Sequence, residues 1–143
     1  ANLELKLHTT AHNRVVFMGN SITEDWLKIR PEFFDNKDYI NRGISGQTTP
    51  QMLLRFRQDV VDLNPKVVVI LAGTNDIAGN SGYISLEAII STIKSMAEIA
   101  NANDIQVIIS SILPAIDYPW KPGLDPAYKI IAISNFSLGV CSE

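Results

Sequence analysis

Ser21 follows an apolar, β-branched run, Val15-Val16-Phe17-Met18, in the turn sequence Met18-Gly19-Asn20-Ser21. The polar Thr23-Glu24-Asp25 beyond it suits the opening of a helix. A serine at a strand-to-helix turn is exposed on its edge, with unpaired backbone N–H groups and the positive helix end close by. That setting suits a nucleophile attacking an acyl carbon, because the same donors can hold the oxyanion that forms. The same pattern also describes a tight turn whose serine only caps the helix. Taken alone, the motif does not choose between them.

Two further segments carry groups suited to the same chemistry, Asn41-Arg42-Gly43-Ile44-Ser45-Gly46 and Gly73-Thr74-Asn75-Asp76. Both follow runs that read as strands: the short Tyr39-Ile40 and the near-continuous Val67-Val68-Val69-Ile70-Leu71. A last run, Ile105-Gln106-Val107-Ile108-Ile109, has the same character. Continuous rather than alternating apolar runs fit strands covered on both faces of a parallel sheet. Between them, Met52, Leu53, Phe56, Val60 and Leu63 recur at helical spacing, with Pro50 suited to a first turn. Ser85 heads a longer helix whose stripe is Leu86, Ile89, Ile90, Ile93, Met96, Ala97 and Ala100. Asp125-Pro126 reads as an N-cap and first helical position, opening a last helix from Ala127 to roughly Ile133.

Strands alternating with helices predict an α/β domain with a parallel sheet and right-handed crossovers. Ligands of such sheets bind beyond the carboxyl ends of the strands. All three polar segments fall there, so they are expected to converge on one rim. The proline-rich loop from Leu113 to Asp125 is either a substrate-facing wall or a plain crossover.

The three segments, in this order, resemble those of the SGNH, or GDSL-like, hydrolases over about Arg14 to Ile112. Pro119-Trp120-Lys121-Pro122-Gly123-Leu124 is similar to a loop of acetylhydrolase-like members. The resemblance implies a three-layer, flavodoxin-like α/β fold and a serine esterase that cleaves small acyl groups through an acyl-enzyme. It implies that Ser21 is the nucleophile, and that the Ser21 N–H, the Gly43 N–H and the Asn75 amide form the oxyanion hole. Glycine lets a backbone N–H approach the reacting oxygen without a Cβ in the way. Asn20 stands where the better-known motif has aspartate. Asp76 reads as structural, its carboxylate taking local backbone N–H groups. Glu24 and Asp25 suit the first helical turn, and Trp26 reads as core packing.

The family also takes a general base from a late Asp-x-x-His segment, and the sequence holds none. Its two histidines are His8 and His12. His12 precedes the first strand, so it is expected roughly 16 Å from Ser21, across five residues at about 3.3 Å each. Activity is therefore expected to be impaired. The resemblance also implies a fifth strand beside Ile105–Ile109 that the sequence does not supply, which leaves an open edge. A truncated or frame-shifted member of the family is expected, and pairing of two chains along that edge is the second possibility. Residues 134–143 have little helical character, suggesting divergence near Ala132. The whole chain is expected to be one such domain, incomplete at its carboxyl end. A non-catalytic module that binds an ester or carbohydrate is the competing reading. A nucleotide-binding domain of the same sheet type ranks third, since neither a Gly-x-Gly-x-x-Gly turn nor a phosphate-binding lysine motif is present.

Composition narrows the partners. The formal charge of −3 offers no basic footprint for nucleic acid. No apolar run approaches the roughly 20 residues that span a bilayer. A single Cys141 and two histidines leave no basis for a metal centre, and no cofactor is implied. The expected substrate is a small acyl ester or an acylated carbohydrate. The compartment stays open between cytoplasm and secretion after signal removal.

Overall fold

The structure, a computed structural model, describes residues 13–35 and 37–140. Four parallel strands form one sheet in the order β2-β1-β3-β4. They are β1 (Val15–Gly19), β2 (Tyr39–Gly43), β3 (Val67–Leu71) and β4 (Gln106–Ile109). The helices are α1 (Ser21–Ile29), α2 (Thr49–Asp59), the four-residue α3 (Thr74–Ile77), α4 (Leu86–Asn101) and α5 (Ala127–Val140). The chain runs outward from β1 to β2, returns to β3, and continues to β4. The reversal of direction therefore lies between β1 and β3, and Gly19 pairs with Leu71 there.

Alternation along β1 divides the interior. Val16 and Met18 are fully buried with Met52 and Phe56 of α2 and Ile93 and Met96 of α4. Phe17 points the other way and meets Trp26, Phe33, Phe34 and Tyr39 edge-on, with centroids 5.4–5.7 Å apart. Trp26 stacks on Phe33 at 4.3 Å, the packing role expected of it. Helices thus cover both faces of the sheet, the three-layer arrangement that the alternating elements predict.

On the Phe17 face, α1 lies over β1 and β2. The register places Val69 and Ile108 on that same face. There Val67, Val69 and Leu71 are only half-buried, and Ile108 is 49% exposed. The β4 edge has no neighbouring strand among the described residues.

Several boundaries differ from the sequence reading, each for a local reason. β2 does not stop at Ile40; Asn41, Arg42 and Gly43 continue it, paired with Phe17, Met18 and Gly19. α2 ends at Asp59, and Val61–Leu63 tighten into a 3₁₀ turn closed by the left-handed Asn64. Thr48 and Gln51 start α2, the Thr48 N–H donating to Gln51 Oε1 at 2.9 Å. Ser85 caps α4 as expected, its Oγ accepting the Ala88 N–H at 3.2 Å. Asp125 has φ +41° and α5 begins at Ala127, so Pro126 precedes the first helical residue. α5 then runs seven residues past the expected end at Ile133, through the segment read as non-helical. Ile130 and Ile133 are buried on α5, and packing of that face against α4 outweighs weak local propensity.

Candidate active site

Ser21 is the first residue of α1, directly after β1. The cap belongs to its neighbour: Asn20 Oδ1 accepts the Ile22 N–H at 3.0 Å, and Asn20 is 1% exposed. Among the described residues nothing bonds the Ser21 hydroxyl or its N–H. The turn serine is therefore not spent on capping.

Ser21, Gly46 and Asn75 line one cleft of about 440 Å³, with Asn20, Ile22, Ser45, Thr74, Asn80 and Trp120. Its place at the carboxyl ends of β1 and β3 is the position expected of a ligand site in a parallel sheet. Asn75 is held at both ends of its carboxamide. Nδ2 donates to the Gln47 carbonyl at 2.9 Å, and Oδ1 accepts from Asn80 Nδ2 at 3.0 Å. An amide nitrogen has two donors, so one N–H of Asn75 remains beyond the Gln47 bond.

The structure gives the Gly43 amide another partner than the one the resemblance implied. It donates to Asn41 Oδ1 at 2.9 Å, and Gly43 is not among the cleft residues. Glycine at 43 has a steric explanation, since a Cβ there would fall 2.1 Å from the backbone nitrogen of Glu24. The strand and the first turn of α1 touch at that point. Gly46, three residues on, has φ +76° and open space where a Cβ would be. No acceptor meets its N–H among the described residues.

Side chains that the sequence reading gave other roles, or passed over, fix this loop. Glu24 does sit in the first turn of α1, and its Oε2 also accepts the Ser45 N–H at 2.9 Å. Asp25 pairs with Lys28 at 2.8 Å on the surface. Arg55 is buried and donates to Gln47, Asp59 and two strand-end carbonyls. Its signal was available: a charge three residues after Met52 and next to Phe56 lies beside the apolar stripe. Asn80 gave no such signal.

Asp76 reads as structural, and its contacts extend beyond its own loop. Its carboxylate accepts the Thr49 N–H at 2.9 and 3.0 Å and the Thr49 hydroxyl at 2.6 Å, so it anchors the start of α2. Burial pushes its pKa up from the ordinary carboxylate value, and the Thr49 donors pull the other way.

The Leu113–Asp125 loop forms a wall of the cleft through Trp120, which is 57% exposed. The indole stacks on buried Tyr118 at 4.9 Å. Asp117 closes the loop by accepting the Tyr118 and Gly123 N–H groups at 2.8 and 3.0 Å. Those two donors, Gly123 first, lower its pKa. Among the described residues, none that lines the cleft carries an imidazole or a carboxylate. His8 and His12, with the position expected for His12, lie outside the described residues. Among the described residues no helix is long and apolar enough to cross a membrane.

A parallel α/β sandwich with a serine-bearing turn and a polar cleft at the strand ends is a common frame for small-molecule enzymes. Residues 17–135 match the sequence model of the GDSL-like Lipase/Acylhydrolase family, and the chain belongs to that family. A GDSL-like lipase from Bacteroides thetaiotaomicron superposes with a TM-score of 0.93 at 46% identity, over 98% of this chain and 69% of that one. A putative acylhydrolase from Bacteroides fragilis gives 0.90 at 46% identity, over 99% and 68%. The platelet-activating factor acetylhydrolase IB subunit beta homolog of Drosophila melanogaster is 27% identical over 114 residues, 75% of this chain. The match spans 48%, about half, of that relative's length.

Proposed function

We propose that the chain carries the acyl-transfer site of a serine ester hydrolase for small acyl esters. The observation that carries this reading is the grouping of Ser21, Gly46 and Asn75 on one cleft, with Ser21 free of the capping bond. Ser21 Oγ attacks the ester carbonyl carbon, and the carbonyl electron pair moves onto oxygen. The Ser21 N–H, the Gly46 N–H and the spare Asn75 N–H receive that charge, Gly46 taking the place first given to Gly43. Collapse of the tetrahedral species expels the alcohol, and water then hydrolyses the acyl-Ser21. Removing one donor fixed in advance costs roughly 3 kcal/mol in such a site.

The proton of Ser21 needs an acceptor, and among the described residues lining the cleft none supplies one. Without a base supplied from beyond these residues, acylation is slow. Oxyanion donors and binding alone leave roughly 10³–10⁴-fold over water, by analogy with triads stripped of members. The exposed indole of Trp120, held flat by Tyr118, suits the alcohol half, and a sugar ring offers an apolar face of the right shape. The acetylhydrolase name of the Drosophila relative supports a short acyl group.

Incubation with p-nitrophenyl acetate followed by intact-mass measurement tests the reading. An acetyl group on Ser21, absent in Ser21→Ala, is expected. Release of nitrophenol unchanged by Ser21→Ala, with no acylated protein, would refute it. The lack of an imidazole or carboxylate among the described cleft residues favours one alternative, a module that binds esters or acylated carbohydrates without cleaving them. Calorimetric binding with no released alcohol would support that reading instead.

A further inference from the structure

The geometry points to Arg55 as a positioning residue that sets the register of all the oxyanion donors, an inference that rests on the proposed acyl-transfer site. Its guanidinium reaches three separate segments. Nη2 donates to the Gly19 carbonyl at 3.2 Å, at the end of β1 and two residues before Ser21. The same nitrogen donates to the Arg42 carbonyl at 2.9 Å, near the end of β2. Nε donates to Gln47 Oε1 at 2.6 Å. The Gln47 backbone carbonyl in turn accepts Asn75 Nδ2 at 2.9 Å. One side chain on α2 therefore ties together the nucleophile turn, the Gly46 loop and, through Gln47, the Asn75 amide.

Asp59 completes the arrangement, holding Nη1 at 2.9 Å from one turn further along α2. The carboxylate fixes the guanidinium plane, and that plane fixes where Nε and Nη2 point. A planar fork with five donors can span such a set of acceptors; an ammonium on a flexible stem cannot. A residue that merely joined α2 to the sheet would need the strand carbonyls alone. The bond to Gln47 has no value for that purpose, because Gln47 lies in the loop that carries Gly46. None of Arg55's bonds reaches the cleft itself, and Arg55 is not among its walls. Its effect on chemistry is through the groups it holds.

Phenylboronic acid is the probe, because boron forms a tetrahedral adduct with a serine oxygen and mimics the oxyanion species. Adduct formation is followed by ¹¹B NMR on the full chain, with thermal unfolding measured in parallel. Ser21→Ala is expected to abolish the adduct. Gln47→Ala removes only the acceptor of Nε, leaves the Gln47 carbonyl for Asn75, and is expected to weaken the adduct about tenfold. Gln47→Glu restores an acceptor and is expected to bring affinity back to within threefold of the original. Arg55→Lys, where it folds, is expected to lose at least as much as Gln47→Ala. On p-nitrophenyl acetate these losses are expected in kcat with KM little changed.

Adducts of equal strength in Gln47→Ala and the original chain, with Ser21→Ala still abolishing them, would overturn the positioning role alone. So would equal weakening by Gln47→Ala and Gln47→Glu, which marks a loop damaged by any change. An original chain that forms no adduct, or one that Ser21→Ala leaves intact, would instead sink the site on which the inference rests.

Discussion

Replacing Gly43 by alanine tests whether this glycine is needed for packing rather than as an oxyanion donor. The added methyl would sit 2.1 Å from Glu24 N, 2.6 Å from Glu24 Cα and 2.6 Å from Thr23 C, all main-chain atoms. Ordinary contact begins near 3.4 Å, so α1 must retreat from β2 by about 1.3 Å. No rotamer change relieves a clash with backbone. The cost should lie at the upper end of the overpacking range, about 2–3 kcal/mol. At roughly 4 °C per kcal/mol for a domain of this size, the midpoint falls by about 8–12 °C. Ser21 rides on the first turn of α1, so the adduct with phenylboronic acid should weaken as well. Gly46→Ala is the control. Its methyl meets nothing, and only the left-handed φ of +76° is penalised, at about 1–2 kcal/mol. Urea unfolding and boronate titration on both variants check the pair. A Gly43→Ala protein with unchanged midpoint and unchanged adduct would refute the reasoning.

Asn75→Ala should cost roughly 10²–10³ in the acylation rate, as expected for one lost oxyanion donor, with KM nearly unchanged; steady-state kinetics on an aryl acetate read this out. Asn80→Ala should produce a smaller loss, since the Asn75 amide remains but loses the bond that orients it. For Asp76 the raised native pKa means that the folded protein binds a proton more tightly than the unfolded chain. This group's contribution is full below pH 3.8, the unfolded value, and is lost as pH rises through the native pKa. Urea midpoints of the original chain, relative to those of Asp76→Asn, should therefore improve as pH falls through that window; a relative decline would contradict the assignment. Trp120→Ala should lower kcat/KM for an acetylated pyranoside at least tenfold while changing p-nitrophenyl acetate turnover little. Equal losses on both substrates would remove Trp120 from the alcohol side.

The β-branched runs made β1, β3 and β4 legible, because continuous apolar stretches of that length leave few alternatives. Ser21 and Asn75 were legible as candidates since each sits where an apolar run gives way to small polar residues. The preference for Gly46 over Gly43 in the proposed site was not. Both lie in one six-residue block, and only geometry shows that Asn41 occupies the first amide. Asp76 read correctly as structural, but its partner Thr49 stands 27 residues away and leaves no local trace. Arg55 looked like one more helix charge, since its acceptors are carbonyls, which every residue has. The last helix went unseen past Ile133 because Ser134, Asn135 and Ser137 are poor helix formers in isolation.

The half-covered stretch of sheet formed by Val67, Val69, Leu71 and Ile108 separates two properties that usually move together. Folding is secured on the opposite face, where Val16, Met18 and Ile70 are fully enclosed. On this one, an apolar patch lies beside a strand edge that no described residue pairs, the kind of surface on which copies associate. Substitutions that raise the melting point should leave precipitation on concentrating the protein untouched. A lysine in place of Ile108, on the outward side of the outermost strand, should do the reverse: more protein in solution, the same unfolding midpoint.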